Sequence, residues 1–228
     1  MARIARLATG VLDTIFPPRC ASCRRRGVWV CEDCFATTTQ FHSPMCHRCG
    51  IPFAMATCRC PELAPELAAH RSVGAYGGWL RAAIIAFKYG DERARDNHLG
   101  TLLATIVPEI GNVDSLVPVP LHRSRQRERG FNQAELLARR VHNLTGIQLL
   151  NALERTRATS HQVGLSGVDR TVNVNDAFRL ARGVDVTGKR LALIDDVCTT
   201  GSTLCACAKT LIRHGAADVV SLTLAREL

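Results

Sequence analysis

Leu191-Ala-Leu-Ile-Asp195-Asp196-Val-Cys-Thr199-Thr200-Gly201-Ser202-Thr203 is the stretch from which the rest of the chain is best understood. Leu191 to Ile194 is a continuous apolar run of the kind found in strands buried on both faces. Two adjacent acids end it, and a run of hydroxyls with one glycine opens a helix at Ser202. Gly201 lets the backbone approach an anion, and the free N–H groups of a helix beginning at Ser202 and Thr203 favour phosphate. Thr199, Thr200 and Thr203 add hydroxyl donors. Two carboxylates beside a phosphate would repel it unless they bind something else, and vicinal ribose hydroxyls or waters on Mg²⁺ are suitable partners. A cap on the next helix would account for one acid but not for both.

Working outward, strand, loop, helix and strand candidates follow one another in 190–195, 196–201, 202–214 and 218–225. Upstream, 71–76 has strand character, and 79–87 has apolar residues at helical spacing before a break at Lys88-Tyr89-Gly90. Residues 99–110 form another helix candidate, and 114–119 a strand closed by Pro118 and Pro120. Asn132 with Glu135 makes a capping box, Leu136, Leu137, Val141 and Leu144 make the apolar face of the following helix, and Gly146 ends it. Residues 155–176 are polar and aperiodic, which predicts a mobile functional loop. The alternation predicts an α/β domain with a mostly parallel sheet flanked by helices. Cys198, Cys205 and Cys207, in or beside the phosphate stretch, are expected to be small core residues rather than nucleophiles.

The first 60 residues have a different composition. Eight of the eleven cysteines lie there, as Cys20/Cys23, Cys31/Cys34, Cys46/Cys49 and Cys58/Cys60. A C-x-x-C turn converges two thiolates on one cation, so eight thiols account for two structural Zn²⁺ ions in closed tetrahedral S₄ sites. Gly50 after Cys49 fits a zinc-ribbon knuckle. Neighbours in sequence are the simplest pairing, with Cys20, Cys23, Cys31 and Cys34 on one ion and Cys46, Cys49, Cys58 and Cys60 on the other; interleaved pairing stays open. His42 and His47 are expected on the surface, since eight cysteines already complete two sites. A disulfide framework would need an oxidising compartment. The N-terminal stretch with Arg3 and Arg6 is broken by Gly10 and Asp13 and runs into Phe16-Pro17-Pro18, which fits a short amphipathic helix better than an export signal. The expectation is a cytoplasmic protein with no membrane span, made of an N-terminal helix and cysteine module (1–65) and an α/β domain (66–228) with a core of its own. The chain carries a formal net charge of +9, and the 60-residue segment holds eight arginines against three acids. Such a basic module favours an anionic partner, either nucleic acid or a phosphorylated small molecule.

The diacid stretch resembles the 5-phosphoribosyl-1-pyrophosphate (PRPP) motif of type I phosphoribosyltransferases at Asp195, Asp196, Thr199, Thr200, Gly201 and Thr203. Further segments narrow the resemblance: Pro118-Val-Pro-Leu-His-Arg123, Arg129-Gly-Phe-Asn-Gln133, Arg155 to Leu165 with Arg170, Asn173 and Phe178, and Lys88-Tyr89. In combination they are similar to the ComF family, which joins an N-terminal zinc ribbon to a phosphoribosyltransferase-like domain and is linked to DNA uptake in natural transformation. The resemblance implies a type I phosphoribosyltransferase-like fold in which Asp195 and Asp196 hold the ribose hydroxyls. It implies that Thr199, Thr200, Gly201, Ser202 and Thr203 grip the 5-phosphate, and that Val119, Pro120, Leu121, His122 and Arg123 form the pyrophosphate loop.

Lys88, Tyr89, Arg129, Arg157 and Arg170 are further expected substrate contacts. Of the alternating Arg123, Arg125, Arg127 and Arg129, only the first and last adjoin motifs, so the other two are expected to be solvated. The expected activity is transfer of the phosphoribosyl group from PRPP, with Mg²⁺, to a nitrogen nucleophile, with Arg155–Arg170 closing as a lid. Only 218–228 follows the phosphate helix, so acceptor recognition is expected from Trp79, Lys88, Tyr89 or the zinc module. The alternative is a non-catalytic, PRPP-responsive protein that binds nucleic acid, single-stranded DNA or the DNA-uptake machinery included.

Overall fold

The computed structural model describes residues 17–58, 60, 63–89, 95–156 and 177–228. Five strands form the central sheet in the order β1 (Ala69–Ala75), β7 (Asp218–Arg226), β6 (Arg190–Cys198), β2 (Ser115–Pro118) and β3 (Gln148–Leu149). All four pairings are parallel. A separate antiparallel pair joins β4 (Leu153–Arg155) to β5 (Phe178–Leu180). The helices are α1 (Glu32–Phe35), α2 (Gly78–Tyr89), α3 (Arg95–Ala104), α4 (Arg123–Arg129), α5 (Gln133–Thr145) and α6 (Ser202–Arg213).

Period-two alternation sends the sheet's side chains to two faces. Ala192, Ile194, Val220 and Leu222 pack with α2, α3 and the Leu137, Ala138 and Val141 stripe of α5. Leu191, Leu193 and Val219 pack on the other side with Leu204, Ala206, Ala208 and Leu211 of α6. The chain therefore leaves β2 through α5 toward β3, and leaves β6 through α6 toward β7, on opposite faces and in opposite directions along the sheet. β2 and β6 are adjacent, and a crevice opens at their carboxyl ends. Such a switch point is where open α/β sheets receive ligands.

Several elements differ from the sequence expectation. The 99–110 helix is two pieces, α3 and a 3₁₀ turn at Val107–Ile110, because Pro108 cannot continue an α-helix. α2 runs on through Lys88 and Tyr89 instead of breaking before them. Trp79 is fully buried, with Nε1 donating to the Trp29 carbonyl at 3.2 Å, so it is core and not a wall for an acceptor. On α5, Asn132 caps the helix by accepting from the Ala134 amide at 3.1 Å, and Gly146 ends it at φ 75°. Glu135 pairs with Arg139 at 2.7 Å, and Leu144 is 47% exposed and off the buried stripe. β6 continues through both acids to Cys198, since Asp195 pairs with Thr223 and Cys198 with Arg226.

The expected separation of cores does not hold. Phe41 donates its amide to Val73 and Ala75 donates to Thr39, so the cysteine module covers the edge strand β1. A Cβ on Gly74 would lie 2.4 Å from the Thr39 carbonyl oxygen, which is why this close seam has glycine. Cys20 and Cys31 join the cluster on the α2/α5 face, whereas Cys49, Ile51, Leu63 and Leu67 join the one on the α6 face. The module thus straddles the sheet edge and contributes to both cores.

Candidate functional site

A cavity of about 370 Å³ occupies the crevice between the ends of β2 and β6. Lys88 and Tyr89 reach it from α2, Val119, Pro120 and Leu121 from the loop after β2, and Arg125, Glu128 and Arg129 from α4. Asn132, Gln133 and Ala134 come from the start of α5, Arg155 from β4, Asp195 and Asp196 from β6, and Thr203 from α6. Nine of the expected site residues are therefore brought together here. His122 and Arg123 line an adjoining cavity of about 480 Å³ that shares Pro120, Leu121 and Arg155 with the first. Thr199, Thr200, Gly201 and Ser202 form the loop into α6, where Thr200 and Ser202 share a hydroxyl contact at 2.7 Å and Gly201 has φ 78°. Arg157, Arg170 and most of the expected lid lie outside the described residues.

Helical spacing explains what the alternating arginines do. Arg125 and Arg129 are four apart on α4 and face the cavity together, while Arg127 is exposed. Arg129 lies over the Tyr89 ring at 4.9 Å, donates to the Tyr89 hydroxyl at 3.1 Å and to Gln133 Oε1 at 3.3 Å. Arg125 was missed because an every-second-residue pattern looks like a solvated face; read with period 3.6, it falls beside Arg129. Gln133 and Arg155 carried no local signal beyond the family-like segments that contain them. Arg155 is on a strand and stacks over Phe178 at 5.3 Å, so it is a wall residue and not part of a lid.

The two acids are unlike. Asp196 forms an ion pair with Lys88 Nζ at 2.7 Å, with both side chains largely buried. Asp195 accepts the Asp196 amide at 2.9 Å. Burial, then the neighbouring Asp196 charge, push its carboxyl up to about 7, against the pull of that amide, Lys88 and Arg155. Burial and the Asp195 charge raise the Cys207 thiol well above its ordinary range, which removes it as a nucleophile.

In the module, the sulfurs of Cys20, Cys23, Cys31 and Cys34 lie within 4.8 Å of one another, as do those of Cys46, Cys49, Cys58 and Cys60. Neighbours in sequence are therefore grouped, and His42 and His47 are exposed outside both clusters. Sulfur separations such as 3.3 Å for Cys46–Cys60 and 3.6 Å for Cys49–Cys58 are too long for disulfides. They approach the edge of about 3.8 Å expected for a tetrahedron with 2.3 Å Zn–S bonds. Burial opposes ionisation of Cys20, but the Cys23 and Cys31 amides outweigh it and bring the thiol down to about 6. The fully buried Arg226 points to the same chemistry. It donates to the Cys49 carbonyl, its Nε and Nη2 have no hydrogen-bond partner, and no carboxylate pairs with it among the described residues. Four thiolates closed on Zn²⁺ at the cluster that contains Cys49 would carry a net charge of about −2 and would supply the missing negative charge. The donor sets fit two structural zinc ions.

The module also touches α6 and the loop that leads into it: Ala64 donates its amide to Cys205 Sγ at 3.1 Å, and Leu63 packs against Gly201. No helix among the described residues is long and apolar enough to cross a membrane.

These features define a class: a doubly wound, mostly parallel α/β domain with a diacid crevice, joined to a paired four-cysteine module. Residues 11–64 match the double zinc ribbon domain family. The chain is 32% identical to Competence protein F of Haemophilus influenzae over 91% of its length and 96% of that protein. It is 33% identical to DNA utilization protein YhgH of Escherichia coli K12 over 93% and 98%, and 32% identical to Competence protein ComFC of Bacillus subtilis over 86% and 84%. The chain belongs to the ComF family. Among solved structures it is similar in part to the glutamine PRPP amidotransferase of B. subtilis, with TM-score 0.42 and 22% identity over 60% of this chain and 30% of that one. Purine phosphoribosyltransferase of Pyrococcus horikoshii is another, with TM-score 0.38 and 17% identity over 58% and 73%.

Proposed function

We propose that the chain binds PRPP in the β2/β6 crevice and transfers the phosphoribosyl group to a nitrogen nucleophile. The observation that carries this is the convergence, at a switch point, of an acid pair, a glycine-opened helix N-terminus and a wall of arginines. Ribose hydroxyls would donate to Asp195 and Asp196. The 5-phosphate would accept from the first amides of α6 and from Thr199, Thr200, Ser202 and Thr203. The diphosphate would lie against Arg125 and Arg129, with His122 and Arg123 at the neighbouring mouth.

The C1–oxygen bond breaks, the bonding pair leaves with pyrophosphate, and the acceptor nitrogen supplies the new pair and releases its proton. Positive charge developing on the ribose is stabilised by the carboxylates, and the negative charge developing on the leaving pyrophosphate is met by the arginines. Mg²⁺ would travel with the diphosphate; the acid pair itself is a poor seat for it, since Lys88 holds Asp196 and the Asp196 amide holds Asp195. Tyr89, exposed at the rim, is the proposed acceptor wall in place of Trp79.

The names of the relatives connect them with competence and DNA utilization, and the same setting is proposed for this chain, in a reducing compartment such as the cytoplasm that keeps eight thiols available to metal. The exposed Arg24, Arg25 and Arg26 of the first cysteine cluster favour a second reading, in which PRPP regulates binding of single-stranded DNA without turnover. Pyrophosphate release across a panel of nitrogen acceptors tests the first reading. Oligonucleotide binding that changes with PRPP, without pyrophosphate release, would support the second.

A further inference from the structure

We propose that Lys88 is the resident counter-cation of Asp196, so that the acid pair is closed to free divalent cations. Lys88 is not a loose surface charge. It lies in the last turn of α2, a helix anchored by Trp79, Leu80, Ala83, Ile84 and Phe87, and its ammonium lies 2.7 Å from Asp196 Oδ1. Its side chain is 21% exposed and that of Asp196 is 10% exposed, so both charges are drawn from water and each is the other's main compensation.

A divalent ion asks for several oxygens at once and gives up its waters reluctantly. In this crevice one Asp196 oxygen is committed to Lys88, and one Asp195 oxygen to the Asp196 amide. Seating a cation on Asp196 would strand the ammonium in a half-buried place beside a doubly charged neighbour. The wall around it adds to the cost: Lys88, Arg125, Arg129 and Arg155 face Asp195, Asp196 and Glu128, four basic side chains against three acids. A field of that sign repels a bare cation and attracts an anion that brings its own metal. The last step rests on the PRPP reading above; the exclusion of free metal does not.

The test is a calorimetric titration of Mn²⁺ into the zinc-loaded full chain without any other ligand. The wild type is expected to show no saturable site tighter than about 1 mM. Lys88→Met should gain one site, at least about tenfold tighter than that limit, and Lys88→Met with Asp196→Asn should lose it. Wild-type binding of one Mn²⁺ that Asp196→Asn abolishes would overturn the proposal, as would a folded Lys88→Met chain that gains nothing. Lys88→Gln serves if Lys88→Met does not fold, and the wild-type titration needs no substitution at all. A separate titration of PRPP with Mg²⁺ distinguishes the two ideas: absent PRPP binding would remove the ligand reading and leave the Mn²⁺ result standing.

Discussion

Removing the second zinc should loosen the whole molecule and not only its N-terminal module. Cys49→Ser is the smallest perturbation, taking one thiolate from the Cys46, Cys49, Cys58 and Cys60 cluster. Ile51, Leu63 and Leu67 are buried in the same cluster as Leu191, Leu193 and Leu204, so releasing the knuckle exposes three large aliphatic side chains and uncovers one face of β6. At 1.5–3 kcal/mol for each side chain, the loss is roughly 5–9 kcal/mol. That is comparable to the entire stability of about 5–15 kcal/mol typical of a native protein. Zinc content and hydrogen exchange on the purified variant are the assay. One zinc should be lost, and the amides of β6 and β7 should lose protection together with the module. Retained protection in both strands, with one zinc gone, would show that the shared core has no energetic weight.

Three further outcomes are expected. Trp79→Ala should cost about 3–5 kcal/mol in urea unfolding, because it empties the α2 anchor and removes the indole donor to the Trp29 carbonyl. Gly50→Ala should destabilise by at least about 2 kcal/mol in the same assay, since Gly50 has φ 67° and a Cβ would lie 2.4 Å from the His70 oxygen. Asp195→Asn should raise Tm at pH 8 by roughly 3–6 °C and leave it nearly unchanged at pH 4. The sign follows from a native carboxyl raised to about 7: between the ordinary carboxylate range and pH 7 the native state holds the extra proton, so its stability falls as pH rises. A substitution that stabilises the fold while weakening ligand binding would mark Asp195 as a functional residue. A Tm at pH 8 equal to or below that of the wild type would refute the assignment of buried charge there.

Local patterns served well where one physical effect dominated. The apolar run into two acids gave β6, and Asn132 with Gly146 gave both ends of α5, because burial and capping act over a few residues. The short span of each turn pairs the cysteines two by two but leaves interleaving open, and the sulfur clusters of the fold select neighbours in sequence. What the sequence hid depends on distance in the chain. The pairing of Lys88 with Asp196 brings together residues 108 apart in the numbering, and no local feature predicts it. The sharing of cores between Leu63 or Leu67 and β6 depends on how the module straddles an edge strand, which composition cannot reveal. Arg125 escapes a sequence reading for a different reason, namely that a seven-residue helix rich in arginine has no apolar stripe to announce its period.

Calorimetric titration of PRPP with Mg²⁺ into the zinc-loaded chain and into Asp196→Asn and Thr203→Val decides whether the β2/β6 crevice is the proposed PRPP site. One saturable site in the wild type is predicted, weakened at least about tenfold in each variant, or about 1.4 kcal/mol. No saturable binding in the wild type, or the same affinity in all three proteins, would contradict it.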